Sequence, residues 1–175
     1  KLIIKDYGII AGINLAKIFA SEKKRLAITI LKNDGDKVKK GDIALTLKGN
    51  IHDLLSIERS MLNCMQRMSA IATKTHDYCN LIKGTKAKIL DTRKTTPLNR
   101  LIDKWAVRIG GGNNHRYGLY DMVMIKDNHV DFSKNISTAI KKTKSYLNKK
   151  GSSARIVVEV RDLNEVDQVL NEGGV

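Results

Sequence analysis

Residues 88–129 read KILDTRKTTPLNRLIDKWAVRIGGGNNHRYGLYDMVMIKDNH, and they carry three cationic clusters, Arg93 with Lys94, His115 with Arg116, and Lys126, each just past an expected structural element. Ile89 and Leu90 make Lys88 to Asp91 a short strand ending in DTRKTTP. Pro97 then opens a helix whose apolar positions are Leu98, Leu101, Ile102, Trp105 and Ile109, and Gly110 to Gly112 stop it. Met122 to Ile125 is a continuous apolar run, the pattern of a parallel strand covered on both faces, with Lys126, Asp127, Asn128 and His129 at its carboxyl end. Strand, helix and strand with charge at strand ends describe an α/β site. Because ligands of parallel α/β folds bind at the carboxyl ends of strands, DTRK and KDNH are expected to face one mouth.

Upstream, Asn50 is expected to cap a long helix with Asp53 as reciprocal partner of a capping box. Leu54, Ile57, Met61, Met65, Met68, Ile71 and Ala72 recur every three or four residues, which favours a buried stripe over a cofactor box. Glu58 and Arg59 lie beside that stripe; the plainest reading is a surface ion pair worth about 0–1 kcal/mol. Gly84 ends this element. Nearer the start, residues 2–4 and 26–31 read as strands around a helix from Ile13 to Ala20, whose beginning Gly12 favours. Asp34-Gly35 signals a hairpin and Gly41-Asp42 reopens a strand from Ile43 to Leu47, giving a small antiparallel α+β unit. The stretch DGDKVKKGDIALTL resembles a half-motif of lipoyl and biotinyl carrier domains, but the acceptor Lys between small or Met residues is missing.

Downstream, Ile136 to Leu147 reads as a helix, Gly151-Ser152-Ser153 as a loop and Ile156 to Val160 as a strand. Asp162 and Glu165 form a second expected capping box before Leu163, Val166, Val169 and Leu170. Gly173-Gly174 close that helix, and Val175 is expected to begin another strand. Three βα units cannot close a barrel, so the chain reads as an internal portion of a longer one.

A chain of 175 residues, 42% hydrophobic, 5% aromatic and with one Pro, has the composition of a soluble globular protein. No apolar run approaches the ~20 residues that span a bilayer, and no charged-then-apolar leader opens the sequence; a cytoplasmic location without membrane partners is expected. Cys64 and Cys79, on one expected helix, are fifteen positions apart, over ~20 Å at ~1.5 Å per residue, which excludes a disulfide between them and suits a reducing compartment. The net charge of +14 fits nucleic-acid binding, an acidic small-molecule substrate or a basic inert surface. Lys141, Lys142, Lys144, Lys149 and Lys150 lie opposite Ile136, Ala139, Ile140 and Leu147, so a solvated helix face accounts for them. A nucleic-acid module would need a basic helix interleaved with stacking aromatics, which Tyr117 and Tyr120 alone do not supply.

DTRKTTP, AVRIGGGNNHR, GLYD and IKDNH, in this order and spacing, resemble the quinolinate phosphoribosyltransferase family, also called nicotinate-nucleotide pyrophosphorylase. The resemblance extends from ERSMLNCMQRMSAIAT to the VEV of Val158 to Val160, with Leu98 and Ala70 standing where the family usually has Gly. It implies a small N-terminal open-faced α/β sandwich over residues 1–59, incomplete at its start. Part of an α/β barrel with its connecting helix would follow over residues 60–175, incomplete at its end. It implies conversion of quinolinate and phosphoribosyl pyrophosphate to nicotinate mononucleotide, pyrophosphate and CO₂ in NAD biosynthesis; a related nicotinate-type phosphoribosyltransferase is the nearest alternative.

Arg guanidinium groups match carboxylates as a rigid fork and Lys acts as a mobile point charge, so Arg59, Arg93 and Arg116 suit a planar dicarboxylate and Lys94 and Lys126 suit phosphates. By the resemblance, His115 and Thr92 join the dicarboxylate pocket, Lys94 and Lys126 meet phosphoribosyl pyrophosphate, and Glu159 contacts ribose hydroxyls and the shell of a Mg²⁺ cofactor. Lys94, Lys126 and Glu159 are the residues expected to act in catalysis. Asp127-Asn128-His129 would order the loop around Lys126, and no His, Asp or Cys spacing here marks a dedicated metal site. Arg59, ahead of the first barrel strand, is expected to reach the site of a neighbouring subunit in a homodimer or higher homo-oligomer.

Overall fold

The chain opens with two short strands, Leu2–Ile3 (β1) and Gly8–Ile9 (β2), then helix Ile13–Ser21 (α1), strands Leu26–Ile30 (β3), Lys37–Val38 (β4) and Ile43–Gly49 (β5), and helix Ile51–Leu81 (α2). The computed structural model describes residues 1–175. β1, β5 and β3 form one antiparallel sheet in that order, and β2 pairs antiparallel with β4. Leu26, Ile28 and Ile30 are the less exposed set of β3, and Ile28 and Ile30 pack against a core of Ile10, Ile13, Ala16, Ala44, Leu45 and Met61. The period of two therefore selects one face of the sheet for burial.

Two local expectations change here. The Asp34-Gly35 turn joins β3 to β4, but these pair with β5 and β2 respectively, so it is not a hairpin turn. Its function is to cap α1: the Asp34 carboxylate accepts the Ile13 and Asn14 N–H groups at 2.8 and 3.1 Å, while Gly12 at φ 98° bends the chain into the helix. Asn50 caps α2 through His52 N–H at 2.9 Å as expected, but Asp53 does not complete a box. Asp53 instead accepts Arg25 at 3.0 and 3.4 Å.

α2 runs unbroken past residue 59 and buries Ile57, Met61, Met65, Met68, Ala72 and Thr75, the expected stripe carried one turn further. Two hydroxyls on the same helix serve the neighbouring backbone: Ser69 accepts Ala11 N–H at 2.9 Å and Thr73 accepts Ile9 N–H at 2.8 Å. Helix α3 spans Arg100–Ile109 and packs on α2. Gly110 is required by that packing, because a Cβ there would lie 2.4 Å from the Ala72 carbonyl oxygen and 2.7 Å from Thr75 Cβ. The expected start at Pro97 is displaced to Arg100: Leu98 takes a left-handed φ of 64°, which interrupts the helix. Of the expected apolar face, Ile102, Trp105 and Ile109 pack against the core as expected, whereas Leu98 and Leu101 are exposed and the fully buried residues are Asp103, Lys104 and Ala106.

The first compact unit is Lys1–His115 and the second is Arg116–Val175. In the second, Met122–Ile125 (β6) lies parallel to Arg155–Val158 (β7), with Met122 opposite Arg155 and Ile125 opposite Val158. Between them run helices Asp127–Phe132 (α4) and Ile136–Lys149 (α5), and Leu163–Glu172 (α6) follows. Ile125, Ile136, Ile140, Leu147, Ile156 and Val169 form its core. The arrangement is the βαβ unit of an α/β fold, with Met122 to Met124 half-buried where full cover was expected. KDNH also differs from a loop: Asp127 to His129 are the first turn of α4. At α6, Asp162 accepts Glu165 N–H at 2.9 Å, but Glu165 returns to the N–H of Arg161 at 2.6 Å rather than to Asp162. Lys141, Lys142, Lys149 and Lys150 are solvated as expected, whereas Lys144 donates to the Gly173 carbonyl at 2.6 Å and holds the end of α6. No helix is long and apolar enough to cross a membrane.

Candidate active site

Thr92, Arg93, Lys94 and His115 are carried by two segments of the first unit that meet at one parallel bridge, Leu90 to Asn113. Asn113 N–H donates to Ile89 at 2.8 Å and Asp91 N–H donates to Asn113 at 3.1 Å, so the expected strand is reduced to this short ladder. Past it the chain turns: Lys94 N–H donates to Thr92 Oγ1 at 3.1 Å, and the Arg93 carbonyl accepts Thr95 N–H at 2.9 Å and Arg100 Nη2 at 3.4 Å. Thr92 and Lys94 are exposed beside a cavity of about 210 Å³ whose other walls include Arg67, Thr96, Asp103 and Lys104. Arg93 is half-buried, and its Nε has no hydrogen-bond partner although it is shielded from solvent. A guanidinium N–H left in that state is a donor ready for an acceptor.

Four charged residues that sequence reasoning missed support this turn. Arg67 on α2 grips Asp103 as a fork, Nε to Oδ1 at 2.6 Å and Nη2 to Oδ2 at 2.8 Å, and Nη2 also reaches Thr96 Oγ1 at 2.6 Å. The hydrogen bond to Asp103 raises the Arg67 guanidinium above its already high ordinary pKa. Lys104, fully buried, donates to Asp91 Oδ1 at 2.6 Å and to the His115 carbonyl at 3.0 Å. The only hint in the sequence is the adjacent opposite charges of Asp103-Lys104 in the middle of the helix. Arg59 is apart from this group: it is exposed on α2, eight residues before Arg67, about 12 Å along the axis at ~1.5 Å per residue, and forms no ion pair with Glu58.

Arg116, Lys126 and Glu159 belong to the second unit. Arg116 is buried at 8% exposure, with Nη2 3.6 Å from Met124 Sδ. The turn after it is fixed by Asp121, whose carboxylate accepts Tyr117 and Gly118 N–H at 2.8 and 2.9 Å. Lys126 and Glu159 each follow the last residue of a parallel strand, and Glu159 N–H donates to Ile125 at 2.9 Å. Their side chains meet, Nζ to Oε1 at 3.5 Å, with both about half-exposed. His129 Nδ1 accepts Lys126 N–H at 2.9 Å, which anchors the lysine's backbone. No cluster of three metal-ligating side chains occurs.

In the second unit an exposed lysine and carboxylate meet at neighbouring strand ends, and in the first an arginine-lysine turn follows a short parallel ladder; each is equipment suited to an anionic ligand. Residues 1–69 match the family described as quinolinate phosphoribosyl transferase, N-terminal domain, and residues 71–175 match its C-terminal domain. The chain belongs to the quinolinate phosphoribosyltransferase family. Among relatives, a Nicotiana tabacum protein named quinolinate phosphoribosyltransferase [decarboxylating] 2b, mitochondrial, is 48% identical over 168 residues, covering 95% of this chain and 47% of the relative. A Bacillus subtilis protein named probable nicotinate-nucleotide pyrophosphorylase [carboxylating] is 39% identical over 174 residues, 99% of this chain and 59% of its own. Among solved structures, NadC from Streptococcus pyogenes superposes with a TM-score of 0.90 at 34% identity, covering 98% of this chain and 60% of that one. The nicotinate-nucleotide pyrophosphorylase from Francisella tularensis gives 0.89 at 38% identity, covering 97% and 60%. The chain thus spans about half the length of the plant relative and three-fifths of the bacterial ones.

Proposed function

We propose that this chain carries the substrate-binding residues of a quinolinate phosphoribosyltransferase, which joins quinolinate to phosphoribosyl pyrophosphate and releases pyrophosphate and CO₂ to give nicotinate mononucleotide. The observation that carries the reading is the DTRK turn with its unsatisfied Arg93 donor, within a chain of this family. In this reading Arg93, Arg116, His115 and Thr92 hold the two carboxylates of quinolinate, while Lys94 and Lys126 face the phosphates. The pyridine nitrogen forms a bond to the anomeric carbon as the bond from that carbon to pyrophosphate breaks. The ring then carries positive charge and accepts the electron pair left when the adjacent carboxylate departs as CO₂. The protein needs no nucleophile of its own; fixed guanidinium and ammonium groups orient both substrates and stabilise the leaving anion.

Glu159 is a half-exposed hard-oxygen ligand, and one carboxylate with substrate phosphates is a coordination set that Mg²⁺ accepts, so the residues fit that cofactor. Bound there, the ion would supply charge neutralisation for pyrophosphate. Lys126, paired with Glu159, would exchange that carboxylate for a phosphate oxygen.

We further propose a homodimer in which Arg59 completes the partner's site, consistent with its exposed place on α2. Residues 1–59 would form the sandwich unit and 60–175 the barrel portion. The cytoplasm, where the free Cys64 and Cys79 stay reduced, is the proposed compartment.

The test is mass spectrometry of the products formed by the full chain from quinolinate, with nicotinate as control. Nicotinate mononucleotide together with CO₂ from quinolinate supports the reading; turnover of nicotinate alone refutes it. Arg116→Lys should weaken quinolinate binding far more than phosphoribosyl pyrophosphate binding, and equal weakening would remove Arg116 from the dicarboxylate pocket. Mixing Arg59→Ala and Arg93→Ala homodimers should restore about a quarter of parental activity, since half the dimers are mixed and each has one intact site. Duplex DNA should bind only weakly and lose affinity steeply with salt.

A further inference from the structure

Lys104 is fully buried although it stands in the wall of the cavity of about 210 Å³, and its charged end sits between the two segments that carry Thr92, Arg93, Lys94 and His115. Asp91 Oδ1 accepts both the Lys104 ammonium at 2.6 Å and the His115 N–H at 2.8 Å. The ammonium donates in turn to the His115 carbonyl at 3.0 Å. Both backbone polar groups of His115 are therefore held by one buried ion pair. The ladder between the segments ends at Asn113, so beyond it this pair takes over the fastening.

Energetics argue that stability alone does not explain the arrangement. Apolar side chains of similar volume are commonly as stabilising as a buried ion pair or better, because desolvation of two charges offsets their attraction. What charges add is direction: three donor–acceptor lines fix where the His115 backbone stands relative to Asp91, and Thr92 and Arg93 follow Asp91 directly. On the other side of the same helix turn, Asp103 fastens Thr96 and Arg67, so α3 holds the DTRKTTP turn at both its beginning and its end.

We infer that Lys104, acting through Asp91, is a positioning residue that sets the spacing between the Arg93 turn and His115, and with it the fit of a planar dicarboxylate. The inference rests on the proposed function for its substrate. Its geometric half stands independently.

The test replaces both charges by apolar groups, Asp91→Leu with Lys104→Met, in the full chain. Lys104→Met alone takes the counter-charge from the buried Asp91 carboxylate and serves as the destabilised control. The double variant should melt within about 5 °C of the parent. Hydrogen exchange at the His115 amide should accelerate by about tenfold or more while α2 core amides are unchanged. KM for quinolinate should rise by about tenfold or more, with KM for phosphoribosyl pyrophosphate within about threefold. Retained protection of the His115 amide in the folded double variant overturns the inference, and so does an unchanged quinolinate KM. A parallel loss of both KM values with early melting shows a merely structural role and also overturns it. If the parent does not use quinolinate, the functional reading fails, and the exchange measurement alone decides the spacing claim.

Discussion

Removing the Arg67 side chain, by Arg67→Ala, leaves the Asp103 carboxylate at 9% exposure with one long contact, Thr96 N–H at 3.4 Å. Breaking a buried pair from one side costs about 3–5 kcal/mol, because the remaining charge keeps its desolvation penalty. Arg67 is itself 39% exposed, so water enters the vacated space and part of the penalty is relieved, which brings the expected loss to about 2–3 kcal/mol. For a chain of this size that is a fall in melting temperature of about 5–10 °C. The single Trp, Trp105, lies two residues from Asp103, so urea unfolding followed by its fluorescence reads this region directly. Arg67→Met combined with Asp103→Leu should recover at least half of the loss, since no charge is then stranded. A loss below about 1 kcal/mol for Arg67→Ala would mean that solvent already screens the pair and that it does not anchor the turn. A double variant no better than the single one would assign the loss to packing instead.

Leu98→Asn should raise the melting temperature by about 2–4 °C, because Leu98 is fully exposed at φ 64° and Asn tolerates that conformation better; a lower melting temperature would mean that something covers the leucine. Gly110→Ala should cost about 1–3 kcal/mol in urea unfolding, since its Cβ would meet the Ala72 carbonyl oxygen; unchanged stability would show that α3 shifts freely on α2. The Ser137 hydroxyl, 2.6 Å from Glu172, holds that carboxyl below its ordinary 4.5, with Lys141 assisting. A depressed carboxylate stabilises the fold above its unfolded pKa and loses that contribution as pH falls through the folded value. Ser137→Ala should therefore melt earlier than the parent at pH 7, with the gap closing below pH 4.5; a gap independent of pH would contradict the assignment.

Elements whose partners are near in sequence were readable. The stripe of α2 recurs at helical spacing and one face of that helix is buried, so Ile57 to Ala72 could be found by period alone. The parallel pair of β6 and β7, and the charges following each strand, were readable for a similar reason. What escaped depends on distant partners. Asp34 caps a helix that begins 21 residues earlier, and Arg67 finds Asp103 36 residues away. Hydrophobic periodicity was right for Ile102, Trp105 and Ile109, which pack against the core, but not for Leu98 and Leu101, which face solvent while Asp103 and Lys104 lie inside. The place of Arg59 on the long helix α2 was likewise readable, since the stripe that defines that helix runs past it. The neutralising network beneath Arg93 and His115 was not, because a buried ion pair looks in sequence like any two surface charges.

The parallel register of β6 with β7 constrains how this part of the chain can vary in length. Side chains alternate between the two faces of a strand, so inserting or deleting one residue within Arg155–Val158 would turn Glu159 to the opposite face and separate it from Lys126. The loop at Gly151–Ser153 lies outside the ladder and can absorb added residues without moving that alternation. Tolerance to insertion should therefore change abruptly between Ser153 and Arg155, from a permissive loop to a strand in which a single added residue removes the carboxylate from its lysine.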